Sequence, residues 1–224
     1  MLTIGDIRVP RWIAEPLIRA AHQASVDPAY LMAVADKESS LRPSSKARTS
    51  SAQGLFQFVE DTWLYAVRRY APKYGLTGIS DAVSAAGGRA IVADEEKRAW
   101  LMNLRRDPYT SALMAAEMIK EYRAILEERT DRTPSITELY VAHFLGLNGA
   151  ARFIDLLAAK PAQSARQLFP SAAKANQGIF YELTPKRRRK PLSLGAVWAR
   201  LDGMMAKRVA RYAALRSSET IAAD

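Results

Sequence analysis

Apolar residues in this chain recur at helical spacing, and no alternating β pattern survives for more than a few residues. Ile13, Leu17, Ala20 and Ala21 share one helical face near the start. Asp27-Pro28 supplies an N-cap and a proline at the first helical position, and Leu31, Val34 and Ala35 continue as a stripe. Trp63, Val67, Tyr70 and Tyr74 follow an acidic first turn, Glu60-Asp61, at helical intervals. Asp107-Pro108 opens a further helix with Ala112, Ala116, Ile119, Tyr122 and Leu126 on one side. Ser135 and Glu138 have capping-box spacing ahead of Leu139 and Ala142. Residues 41–57 are rich in Ser and Thr and read as a loop, and residues 76–90 are punctuated by Gly and Ser. The pattern predicts an all-α fold, a helical domain with several helices around a cleft.

One position breaks the pattern. On the helix that starts at Pro28, the stripe Leu31, Val34, Ala35 reaches residue 38, which is Glu, and resumes at Leu41. Partial burial and the negative end of the helix dipole both disfavour an ionised carboxylate there, the direction a general acid needs. A carboxylate satisfied by a basic or hydroxyl partner in the core is the plainer account, and helix geometry alone favours it.

Composition narrows the classes. The chain has 224 residues, 49% apolar and 25% charged, which suits one or two globular domains. With no cysteine and only His22 and His143 as imidazoles, thiol chemistry, disulfides and Cys- or His-built metal centres are excluded, and no cofactor is expected. No window approaches the roughly 18 apolar residues of a membrane span. The opening residues lack a basic region followed by an apolar one, so no secretory signal is recognisable.

The net charge of +10 is concentrated. Residues 185–216 hold ten basic residues against one acid, Asp202, and the rest of the chain is nearly neutral. The run Pro185 to Pro191 therefore reads as an extended basic linker between a body at 1–184 and a basic amphipathic helix and tail at 192–224. In that helix Leu194, Trp198, Leu201, Met205, Tyr212 and Leu215 form the apolar face. Docking on the body and binding an anionic partner (nucleic acid, membrane surface or wall polymer) are equally compatible with it. The basic run has no aromatic or base-reading side chains, which argues against nucleic acid.

From Glu38 the chain reads ESSLRPSSKARTSSAQGLFQFVEDTW. This resembles the signature of the soluble lytic transglycosylases, the goose-type-lysozyme-like group that cuts bacterial peptidoglycan. Glu38-Ser39 matches the family's Glu-Ser pair at a helix end. Gly54-Leu55-Phe56-Gln57 matches its Gly-Leu-Met-Gln, with Phe56 in place of Met. The family's Ala-Tyr-Asn element appears altered, as Ala142-His143-Phe144-Leu145-Gly146. The matched elements span residues 27 to about 155.

The resemblance implies a lysozyme-like domain and one catalytic carboxylate, Glu38. It would protonate the glycosidic oxygen between N-acetylmuramic acid and N-acetylglucosamine. It would then take the proton from the muramyl C6 hydroxyl as that oxygen attacks C1, leaving a 1,6-anhydromuramyl end. By motif Ser39, Thr49 and Gln57 fall near Glu38 or along the sugar-binding region, with Thr49 the candidate for the acetamido group. His143, or Tyr140 one turn earlier, takes the place of the family's Tyr, and Tyr140 is a candidate hydrogen-bond partner of Glu38. Ordinary loop chemistry accounts equally well for Thr49 and its neighbouring serines.

No second acid is marked out: Asp36 faces away from Glu38 on the same helix, and Glu60-Asp61 have a role at a helix start. Rival functions are a water-using muramidase and a non-catalytic wall-binding or assembly component. The substrate implies the periplasm or envelope. Without a recognisable signal, delivery by a flagellar, secretion or phage-like machine is the expected route, with the basic C-terminal helix as the docking element. On that view, deletion of residues 185–224 spares activity on isolated peptidoglycan.

Overall fold

Caps and proline placement set the helix starts. The computed structural model describes residues 1–216. A short hairpin, β1 (Leu2–Ile4) with β2 (Ile7–Val9), turns at Gly5 and leads into α1 (Arg11–Ala24). Asp27 then caps α2 (Pro28–Ser39), its carboxylate accepting from the Ala29 backbone N–H at 2.9 Å. After the 41–57 loop come α3 (Glu60–Tyr70), α4 (Thr77–Ser80), the hairpin β3 (Ser84–Ala86) with β4 (Arg89–Ile91), and α5 (Glu95–Asn103). Two long helices follow, α6 (Pro108–Thr130) and α7 (Ile136–Ala159), and α7 begins with the capping box of Ser135 and Glu138. Three short helices, α8 (Ala165–Leu168), α9 (Pro170–Ala175) and α10 (Gln177–Phe180), precede the hairpin β5 (Tyr181–Leu183) with β6 (Arg189–Pro191) and the helix α11 (Leu194–Arg211). Among the described residues the only sheets are these two-stranded hairpins, so the fold is all-α as the periodicity predicts.

The chain divides into two units, Met1–Glu121 with the segment from Arg208 onward, and Tyr122–Lys207. In the first, α2 is buried from Ala29 through Ala35 on every side. The expected single stripe is therefore too narrow a description. Small side chains at 29, 33 and 35 make α2 a central core helix, against which α1 packs. Trp63, Val67 and Tyr70 of α3 complete this core, and the Trp63 indole N–H donates to the Leu101 carbonyl at 2.8 Å. In the second unit Phe153 of α7 sits against Phe169 and Trp198, with ring centroids 5.5 and 6.3 Å away. Leu194, Val197, Leu201 and Met205 of α11 are buried there.

The stretch 185–191 is ordered as the hairpin turn and the strand β6, whose residues Arg189–Pro191 pair with Tyr181–Leu183. Of the 192–224 tail, residues 217–224 lie outside the described residues.

Candidate functional site

The end of α2 is held by its own last residues. Glu38 is half-buried, one residue before the helix ends. Ser39, 4% exposed, donates its hydroxyl to the Ala35 carbonyl at 2.9 Å and accepts from the Arg42 backbone N–H at 3.2 Å. Ser40 and Leu41 then adopt left-handed backbone, with φ of 53° and 56°. Two successive residues other than glycine in that region store roughly 1–3 kcal/mol each. The surrounding bonds hold them: Ser40 N–H donates to Asp36 O at 2.9 Å, and the Arg42 Nε–H and the Ser45 hydroxyl both donate to Ser39 O, at 3.2 and 3.4 Å.

Ser45 links this end to the Gly54–Gln57 turn. Its carbonyl accepts from Gly54 N–H at 2.9 Å and from the Gln57 amide at 3.2 Å. The same Gln57 amide donates to Gly54 O at 2.8 Å, and Gln57 itself has a φ of 50°. Gly54 has a φ of 85°, and a Cβ there would fall 1.8 Å from the Arg105 carbonyl oxygen, so only glycine fits. Leu55, Phe56 and Phe58 are buried, and Phe58 meets Trp63 edge to face at 5.3 Å. The two phenylalanines are core. Thr49 is exposed in the loop.

Arg105 is the residue that sequence reasoning missed. It is 6% exposed, and its guanidinium donates to Ser51 O at 2.6 Å, Phe58 O at 3.1 Å and Gln53 Oε1 at 3.1 Å, with a fourth bond to Met102 O at 3.0 Å. Burial lowers its pKa from the usual arginine value, and the neighbouring Glu60 charge opposes that. In the run Leu-Arg-Arg-Asp-Pro nothing distinguishes Arg105 from exposed Arg106.

Three of the acids near Glu38 in the chain are bound by arginines. Asp36 lies 3.2 Å from Arg211 and 3.9 Å from Arg208, and it also accepts from the Tyr212 hydroxyl. Burial, then the Asp36 charge and that hydrogen bond, push Tyr212 up to about 12. Asp27, besides capping α2, receives Arg216 at 2.6 Å. Glu60 pairs with Arg98. Three arginines of the basic C-terminal segment thus dock on the acids of α2, and Tyr212 and Leu215 are buried beside them. Farther off, Glu117 of α6 is 2% exposed and bound by Lys73, Lys120 and Tyr74, while Glu121 takes Arg69, Tyr65 and Tyr70.

Tyr140 and His143 belong to the second unit. Tyr140 is 1% exposed, and its ring lies near those of His143 and Phe144, at centroid distances of 6.0 and 6.3 Å. Gly146, with φ 72° and ψ 166°, breaks α7 just after this aromatic group. In the first unit Ser39, the residue after Glu38, is joined through Ser45 to Gln57 by hydrogen bonds, and Thr49 is exposed in the same loop.

Among the described residues no group of three or more His, Asp or Glu side chains is disposed to hold a metal, and no helix is long and apolar enough to cross a membrane. Residues 15–86, about a third of the chain, match the family model of the transglycosylase SLT domain. The match runs from α1 through the Glu38 helix, its loop and α3 as far as β3.

Proposed function

Because residues 15–86 carry a transglycosylase SLT domain, a domain of peptidoglycan-acting proteins, we propose that this chain is a peptidoglycan lytic transglycosylase in which Glu38 acts as both acid and base. The observation that carries this is the placement of Glu38 at a helix end fixed by Ser39, Ser40 and Leu41 and bonded through Ser45 to the Gly54–Gln57 turn. A helix end held in one place fixes the backbone from which the carboxylate reaches the scissile bond.

In this mechanism the Glu38 carboxyl donates its proton to the oxygen linking N-acetylmuramic acid to N-acetylglucosamine as the C1–O bond breaks. The resulting carboxylate accepts the proton of the muramyl C6 hydroxyl while O6 bonds to C1. One proton enters and one leaves, and no water is consumed. Asp36 and Glu60, engaged by arginines, serve structure, which suits a route with one working carboxylate. Ser39, its hydroxyl taken up by Ala35 and Arg42, acts here by positioning Glu38, and Thr49 is left as the sugar-facing hydroxyl. The substrate places the enzyme in the periplasm or cell envelope.

Mass spectrometry of muropeptides released from purified sacculi tests the proposal. Wild type should release anhydro-ended products, one water lighter than reducing ends, and Glu38→Gln should release none. Reducing ends would identify a muramidase. No release by wild type would leave a wall-binding or assembly role.

A further inference from the structure

Of the basic residues between 185 and 216, Arg208, Arg211 and Arg216 are engaged by Asp36 and Asp27, and Arg200 donates to the carbonyls of Gly178 and Tyr181 at 2.8 and 2.7 Å. The remaining charge is concentrated on the β5–β6 hairpin. Lys186, Arg187, Arg188, Arg189 and Lys190 are consecutive and all exposed. Lys190 pairs with Glu182 at 3.2 Å, and among the described residues the other four have no acidic partner.

Hydrogen bonds fix the main chain that carries these cations. Thr184 N–H donates to Arg188 O at 2.9 Å, Arg187 N–H donates to Thr184 O at 2.8 Å, and Arg188 N–H donates to the Thr184 hydroxyl at 3.1 Å. Leu192 N–H donates to Phe180 O at 2.9 Å, and both side chains are buried, so the strands are rooted in the second unit. Like charges this close repel one another and favour an open chain. A turn that fixes the main chain beneath them keeps the charges clustered, so that only side-chain ordering is left to lose when an anion binds.

We propose that the 184–190 turn is a binding element for the carboxylates of peptidoglycan stem peptides, holding the wall polymer by charge alone. This rests on the function proposed above and assigns a second contact to the same polymer. Residues 184–190 contain no aromatic ring on which a nucleic-acid base would stack, and Leu183, 71% exposed, is the one large apolar side chain exposed on the hairpin, too little to enter a bilayer.

The test is sedimentation of the full-length chain with purified sacculi at about 0.05 M and about 0.5 M salt. Wild type is compared with Lys186→Gln/Arg187→Gln/Arg188→Gln/Arg189→Gln and with the charge-keeping Arg187→Lys/Arg188→Lys/Arg189→Lys. The neutral variant should bind about tenfold more weakly at low salt and lose most of the salt dependence, and the lysine variant should keep both. Sacculi whose carboxyls have been converted to amides should bind wild type no better than they bind the neutral variant.

Equal binding of the neutral variant to untreated sacculi would overturn the proposal. So would a loss confined to double-stranded DNA or to phosphatidylglycerol vesicles run in parallel. Release of anhydro ends from peptide-free glycan strands is scored separately. The neutral variant should retain it, so failure of the hairpin proposal and failure of the enzymatic one are told apart.

Discussion

Gly54 tests the site at the smallest scale. Gly54→Ala places a methyl group 1.8 Å from a backbone oxygen that cannot rotate away, at a φ that alanine resists. A loss of more than about 3 kcal/mol in urea denaturation is expected, and a midpoint near wild type would contradict the role given to this residue. Arg105→Lys keeps the charge but not the forked donors that reach Ser51, Gln53 and Phe58. It should lower stability by about 2 kcal/mol and reduce kcat for muropeptide release more than it raises KM. Glu117 carries the pH dependence. Burial pushes its carboxyl up, but the hydrogen bonds from Lys73, Tyr74 and Lys120 together outweigh that and hold it below the usual carboxylate range. Its folded pKa is therefore depressed. The stability it contributes is present above the unfolded value, about 4.3, and is lost as pH falls through the folded value. Urea denaturation as a function of pH should show an acid limb, and Glu117→Gln should flatten it while lowering stability at neutral pH.

At the scale of elements, α2 has two independent supports at its start, and Asp27 provides both. Its carboxylate caps the helix and also receives Arg216. Asp27→Asn keeps a capping oxygen and loses only a partly exposed ion pair, so it should cost less than about 1 kcal/mol, whereas Asp27→Ala should cost about 1 kcal/mol more. Similar thermal shifts for the two variants would show that capping is not what Asp27 supplies. The starts of α2, α6 and α7 were legible because a cap is a local chemical signal, readable at Asp27-Pro28, Asp107-Pro108 and Ser135-x-x-Glu138. The hairpins were not. Each strand has three residues, and Ser84–Ala86 contains only Ser and Ala, so neither length nor alternation marks it. Helix α5 also escaped notice, because Leu101 is its only buried residue and no apolar stripe betrays it.

For the whole molecule, the basic C-terminal region divides by task. Its last part belongs to the first unit, where Arg208, Arg211 and Arg216 meet the acids of α2 and Tyr212 and Leu215 are buried. This revises the expectation that removing residues 185–224 leaves activity intact. Among the described residues, deletion from Arg208 onward removes three buried side chains, Val209, Tyr212 and Leu215, and the arginine partners of Asp36 and of the helix cap Asp27. A melting temperature lower by several degrees and a matching loss of muropeptide release should follow. A truncated chain with wild-type melting would show that this segment is dispensable to the first unit.

The sequence by itself determined the helical class, the caps, the Glu-Ser and Gly-Leu-Phe-Gln elements and the placing of Glu38 near a helix end. Each of these is written within a few consecutive residues, where backbone propensity and side-chain spacing act directly. Tertiary structure decided that α2 is buried on all sides, that Arg105 pins a loop about fifty residues earlier in the chain, and that Asp36 is engaged by arginines about 170 residues later. Those outcomes depend on which surfaces meet once the chain has closed on itself. A guanidinium that ends beside three oxygen acceptors of one loop and one left in water are written with the same letter.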